Sequence, residues 1–305
     1  MIVSASRRTD IPAFYAEWFF NRLKEGYVLV RNPYNYRQVS KISLSPEAVD
    51  CFVFWTKNPT KILEKLDLLK DYKYYFLITI TPYDNLIEKN LPPKDFIIQS
   101  FQKLSEMIGK NRTIWRYDPI FLADKIDIDY HRREFDKMSS LLAGYAERCV
   151  ISFLDLYPKI QKNAQRLKIA PPNTEQILEL SEILSGIAGK KGIKLQTCCE
   201  SVDLTMFGIE RGKCVDDKLI EEIAGKKLSL SKDKNQRQNC GCALSVDIGA
   251  YDSCRHDCVY CYANISEKAA DRNIKNHDPY SPLLIGRPEP EDVITERPII
   301  TFKAK

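Results

Sequence analysis

Three cysteines on one short stretch, Cys254-x3-Cys258-x2-Cys261, are the residues of this 305-residue chain whose spacing best suits chemistry. Three thiolates on a single loop can each hold one iron of a [4Fe–4S] cube, and the fourth iron is then left without a ligand from that loop. An iron with an open coordination position is a reactive site. Structural zinc wants four closed ligands, usually from paired two-residue knuckles, and of these cysteines only Cys258 and Cys261 have that spacing. A zinc-stabilised module and a simple electron-transfer or sensor cluster stay open as alternatives.

The other thiols extend the pattern. Eight of the ten cysteines fall between residues 198 and 261, and in a reducing compartment such clustering is better explained by metal than by disulfides. Cys198 or Cys199, together with Cys214, Cys240 and Cys242, can supply four ligands to a second, auxiliary [4Fe–4S] cluster, fully ligated and able to relay electrons or bind substrate. Cys51 and Cys149 sit inside apolar runs and read as ordinary buried residues.

These thiols need a scaffold, and the first two hundred residues provide an alternation of strand-like and helical patterns, the signature of parallel strands joined by crossover helices. Six strands are expected, at Ile2–Ser6, Cys51–Trp55, Tyr75–Ile80, Thr113–Trp115, Cys149–Leu154 and Ile193–Cys198. Ile97, Phe101, Leu104 and Ile108 make one apolar stripe, and Gly109 follows as a left-handed cap. Asn173 with Gln176 spells a capping box, and Asp10 with Pro12 another helix start. The predicted class is α/β, a partial (β/α)6 TIM-like barrel over residues 1–225. A C-terminal cysteine-rich, cluster-binding cap and tail follow over 226–305, packed on the barrel as one unit. A doubly wound sheet shares the local pattern.

The cysteine spacing, with an aromatic, Tyr260, directly before the last cysteine, resembles the motif of the radical S-adenosylmethionine (SAM) superfamily. That resemblance implies a (β/α)6 core, SAM chelated on the open iron, and one-electron cleavage to a 5′-deoxyadenosyl radical that abstracts hydrogen from a substrate. It also implies Tyr260 near the adenine and a flavodoxin- or ferredoxin-like electron donor. In most of that superfamily the motif follows the first strand, whereas here it lies beyond all six predicted strands. The chain most closely resembles a family of uncharacterised bacterial proteins, known only as a domain of unknown function, whose C-terminal cysteines are likened to that motif. The residues carrying this second resemblance are Ser4-Ala5-Ser6-Arg7-Arg8-Thr9-Asp10, Trp55-Thr56-Lys57-Asn58-Pro59, Arg116-Tyr117-Asp118-Pro119 and Asp247-Ile248-Gly249-Ala250-Tyr251. It names no substrate.

Chemistry on such scaffolds gathers where strands end. Arg8 and Asp118 fall there as candidates for catalysis, and Arg116, Lys57 and Glu200 as candidates for holding the cofactor. A guanidinium can grip the SAM carboxylate bidentately, and a carboxylate can bind ribose hydroxyls or an amino group. The opposing reading makes such charges helix caps or solvated ion pairs. His256 reads as a solvated loop histidine.

Composition bounds the rest. With 44% apolar and 29% charged residues the chain can bury a real core, which excludes disorder. The balance of 46 basic to 41 acidic residues, +5, is too small to argue for nucleic acid. The basic stretch Lys226–Arg237 lacks interleaved aromatics and reads as a solvated linker, with a nucleic-acid role left open. No apolar stretch approaches the roughly 18 residues of a membrane span, and Arg7 and Arg8 follow a very short apolar run, the wrong order for a signal peptide. A cytoplasmic protein is expected.

Overall fold

Runs of Val, Ile, Phe and Tyr in this chain become strands buried on both sides, because β-branched and aromatic side chains fill the space on either face of a pleated sheet. The structure, a computed structural model, describes residues 1–300. Its strands are β1 (Ile2–Ala5), β2 (Tyr27–Arg31), β3 (Gln38–Ser43), β4 (Cys51–Thr56), β5 (Tyr74–Thr79), β6 (Thr113–Ile120), β7 (Arg148–Phe153), β8 (Lys194–Cys198), β9 (Glu210–Gly212), β10 (Val246–Asp247) and β11 (Val293–Glu296). The helices are α1 (Ile11–Phe14), α2 (Ala16–Glu25), α3 (Thr60–Leu63), α4 (Lys94–Ile108), α5 (Ile128–Leu142), α6 (Gln161–Arg166), α7 (Thr174–Lys190), α8 (Asp217–Ala224) and α9 (Glu267–Lys275).

Eight strands form one sheet in the order β10-β1-β4-β5-β6-β7-β8-β9, with every neighbouring pair parallel. The six predicted strands are all present, and two more extend the sheet. These additions, β9 and β10, have three and two residues, too short for a periodic signal. A separate sheet, β11-β3-β2, combines an antiparallel hairpin with the tail strand β11. The tail thus has regular structure that its proline-rich sequence did not suggest, and Trp18 Nε1 anchors it further by donating to Ser281 O at 2.9 Å.

Successive strand residues point to opposite faces, so the main sheet divides its side chains into two sets. On one side Val3, Phe52, Phe54, Phe76, Trp115 and Ile151 pack with Phe19, Phe101, Phe135 and Leu180 of α2, α4, α5 and α7. On the other, Ile2, Cys51, Val53, Tyr75, Leu77, Ile114 and Val150 pack with Leu219 and Ile220 of α8 and with Cys214, Cys240 and Cys242. Cys51 and Cys149 are buried, as their apolar surroundings suggested. The long amphipathic helices therefore share one face, and Cys214, Cys240 and Cys242 lie against the other.

Local signals in the sequence mostly operate as written. Asp10 caps α1 by accepting from Ala13 N at 3.0 Å, and Asn173 and Gln176 form a complete capping box on α7. Gly109 departs from expectation. It closes α4 with φ 93 and ψ 146, outside the left-handed helical region, a conformation that glycine reaches because it lacks a Cβ.

The segment after residue 225 enters the main sheet through β10, and Asp247 secures it there. Its carboxylate accepts from Ser4 Oγ, Ser6 Oγ and Arg7 N, each at 2.7 Å, and from Gly249 N at 2.9 Å. Gly249 must be glycine, since a Cβ would stand 2.0 Å from Ser6 Oγ and 2.7 Å from Ser6 Cβ. Among the described residues no helix is long and apolar enough to cross a membrane.

Candidate functional site

The C-terminal ends of the parallel strands surround a cavity of about 450 Å³. Arg7 and Arg8 reach it from the end of β1, Trp55 and Lys57 from β4, Arg116 and Asp118 from β6, Phe153 and Asp155 from β7, and Cys198 from β8. All seven candidate ligand cysteines line it: Cys254, Cys258 and Cys261 on one part of the wall, and Cys198, Cys214, Cys240 and Cys242 on another, with Cys199 beside them. None of the ten cysteines is in a disulfide.

The loop with the first three thiols is held by backbone pairing and by two buried polar contacts. Val259 N donates to Ile87 O at 3.0 Å, Asn90 N to His256 O at 3.1 Å, and Glu88 bridges Cys258 in antiparallel fashion. Asp252 and Asp257 adopt φ of 53 and 49, turning the chain at either end of the first ligand spacing. Ala263 N points at Cys261 Sγ from 3.4 Å. His256 is no solvated histidine. It is 3% exposed, and its Nε2 lies 2.8 Å from Asp10 Oδ2. Because a carboxylate only accepts, Nε2 carries the proton, and Nδ1 is buried without a partner among the described residues. The sequence concealed this pairing because Asp10 and His256 are 246 positions apart.

The second thiol set forms a string. Cys198 Sγ lies 3.3 Å from Cys214 Sγ, Cys214 contacts Cys242, and Cys242 contacts Cys240. The hydrogen bond from Cys242 lowers Cys240 below an ordinary thiol. Cys198, at the end of β8, is the member that joins the string. Cys199, with φ of 60, faces Arg237 and the Cys240 end of the string instead of Cys214. Among the described residues no three His, Cys, Asp or Glu side chains are arranged around a single metal ion.

Charged residues at the strand ends divide into those facing the cavity and those tying the fold. Arg116 pairs with Asp118; burial disfavours its charge, and Asp118 together with Cys214, Cys198 and Tyr262 more than offsets that. Burial also raises Asp118 despite Arg116. Arg8 lies over the Tyr251 ring at 5.3 Å and 3.9 Å from Asp247. Glu200, proposed as a cofactor ligand from its position after β8, does not line the cavity. Its carboxylate instead accepts from Ser152 Oγ at 2.9 Å and Phe153 N at 3.0 Å, tying β8 to β7.

Glu88 is the organising residue that sequence reading missed. Fully buried, it accepts from Lys57 Nζ and Thr81 Oγ1 at 2.7 Å each, and from Lys94 and the Tyr260 hydroxyl. Burial alone would raise its carboxyl, but Lys57 and Lys94 more than offset that and lower it to about 2. Tyr260 and Lys57 thus share one anion, with the Lys57 ammonium 5.5 Å from the Tyr260 ring centre. Glu88 lies in an irregular segment with no motif around it, so only the fold discloses its role. Arg237, expected in a solvated linker, pairs across the cavity rim with Asp155.

These features define an α/β protein whose large parallel sheet opens onto a thiol-lined cavity. The chain belongs to the family described as a domain of unknown function, DUF1848, whose profile matches residues 2–263. No curated protein matches it. One solved structure, from Bacteroides thetaiotaomicron VPI-5482 and provisionally described as an alpha-L-fucosidase, is similar at 12% identity over 73% of this chain and 80% of its own, with a TM-score of 0.28. A likeness that slight carries no argument about activity.

Proposed function

We propose that this protein is a radical SAM enzyme, in which Cys254, Cys258 and Cys261 hold a [4Fe–4S] cluster with one open iron at the mouth of an α/β barrel. The observation that carries the reading is the convergence of this three-thiol loop with strand-end Arg, Lys and Asp residues on one cavity. The strand order supports a barrel, since the last strand, β10, returns beside β1 as in a (β/α)8 closure, with a seam left between β9 and β10. The donor chemistry also fits: three thiols on a tight loop, two of them, Cys254 and Cys261, receiving a backbone N–H, a feature that tunes iron–sulfur potentials. Four thiols in contact at the seam support an auxiliary cluster on Cys198, Cys214, Cys240 and Cys242.

Bound there, the cluster and SAM would supply a 5′-deoxyadenosyl radical for hydrogen abstraction from a substrate. This chain's residues would bind, orient and exclude water. Arg116, paired with Asp118, suits the SAM carboxylate, and Lys57 lends positive charge beside Cys258. Glu88 fixes the Tyr260 hydroxyl, so the ring stands at the cavity with its orientation set. Arg8, over the Tyr251 ring, and Asp118, paired with Arg116, line the cavity where a substrate would sit. The location consistent with this oxygen-sensitive chemistry is the cytoplasm.

The test is an anaerobic assay of dithionite-reduced protein with SAM. Release of 5′-deoxyadenosine, abolished by changing Cys254, Cys258 and Cys261 together to Ala, supports the reading. Release unaffected by those changes, or stoichiometric zinc in a colourless protein, refutes it.

A further inference from the structure

We infer that the lysine-rich arm beside the second thiol set is the docking surface for an acidic protein carrying a one-electron centre, and that electrons enter at Cys198, Cys214, Cys240 and Cys242. The inference rests on the reading of both thiol sets as iron–sulfur sites. Residues 226–242 hold five basic side chains and one acidic, a net of +4 in a chain whose total is +5. The single acid, Asp233, is buried at 3% exposure, so the exposed charge of this segment is all positive. Lys226, Lys227, Lys232 and Lys234 are exposed and make no ion pair among the described residues.

Two of these lysines, Lys232 and Lys234, lie on or next to a strand segment paired with the one that carries Cys242, and Lys226 and Lys227 lead into it from the end of α8. Asp233 N donates to Cys242 O at 2.9 Å, Leu244 N to Ser231 O at 2.8 Å, and Lys232 bridges Ala243 in antiparallel fashion. Lys232 and Cys242 are therefore on opposite arms of one hairpin, with Lys234 and Cys240 in the connection between them. Lys213 packs its stem against the same hairpin, its Cγ lying 3.3 Å from where a Cβ on Gly241 would stand, while its ammonium is paired with Asp217 at 2.7 Å. Complementary charge raises association rates and selects orientation, and electron-transfer encounters use small interfaces that one such hairpin can fill. No aromatic residue lies in 226–242 to stack a base, which favours an acidic protein over nucleic acid. In the transfer one electron leaves the partner's reduced flavin or iron–sulfur centre, which is oxidised by one. Cys198, Cys214, Cys240 and Cys242 would hold the centre that is reduced by one, and Cys254, Cys258 and Cys261, on the same cavity, would hold the one that receives the electron next. No atom moves.

The test compares the full-length protein with a variant carrying Lys226→Glu, Lys227→Glu, Lys232→Glu and Lys234→Glu, and with the milder four-Gln variant, using a purified flavodoxin as probe. Binding at low salt is expected to fall about tenfold or more in the Glu variant and by an intermediate factor in the Gln variant. The salt dependence of the parent should flatten in both. Equal binding by all three proteins, or tighter binding of a DNA or RNA oligonucleotide than of flavodoxin at the same salt, overturns the inference. Dithionite-driven SAM cleavage is measured in parallel and should be unchanged, since dithionite needs no docking. Its absence from every protein would strike the functional reading, while the binding comparison is decided separately.

Discussion

Cys254, Cys258 and Cys261 come from eight consecutive residues, whereas Cys198, Cys214, Cys240 and Cys242 meet only when the end of β8, the turn before α8 and the lysine-bearing hairpin come together. Both sets line the same cavity. Sequence spacing alone sets the reach of the first, and its pins are few: Asp10 to His256, Glu88 to Tyr260, and backbone pairing with residues 87–90. The second depends on the whole sheet being formed. Of two thiol sites built from the same atoms, one is local and the other is a product of tertiary structure, and perturbations should separate them.

The largest effect is expected from the triple change of Cys254, Cys258 and Cys261 to Ala. It should abolish 5′-deoxyadenosine formation and lower iron, measured colorimetrically, from about eight to about four per chain. Changing Cys240 and Cys242 to Ala should remove a similar amount of iron yet leave dithionite-driven SAM cleavage detectable. A loss of all iron in either variant would show that the two sites are not independent.

Glu88→Gln attacks the support of the local set. It leaves the half-buried Lys57 and Lys94 beside a neutral partner, and denaturant unfolding should show a loss of about 2–4 kcal/mol. The same carboxylate makes stability depend on pH. Held at about 2 in the fold, Glu88 contributes fully above its unfolded value, and that contribution should disappear as pH falls from roughly 4.5 toward 2. In the Gln variant this part of the acid sensitivity should be missing. A smaller effect is expected at the edge that carries the later segment: Gly249→Ala forces Ser6 to move, at about 1–3 kcal/mol by thermal unfolding.

What the sequence disclosed follows the same division. The three-cysteine loop, the capping box at Asn173 and the strands with long apolar runs are local patterns, readable without the fold. Strands β9 and β10 are too short to announce themselves, and Glu88 has no neighbours in sequence that mark it. Glu200 illustrates the converse, a charge at a strand end that serves β7 rather than the cavity. His256 shows how a loop residue becomes buried once a distant acid meets it. The motif around Asp247 is intelligible only after β10 is seen beside β1, because its carboxylate serves residues more than two hundred positions away.

The most direct measurement is electron paramagnetic resonance of the reduced protein, anaerobically, with and without SAM. A cluster whose fourth iron is open should change its spectrum when SAM binds, and the Cys240→Ala, Cys242→Ala protein should show that change undiluted by a second signal. A spectrum indifferent to SAM in both proteins would mean that the iron is closed or absent, and the account would be wrong.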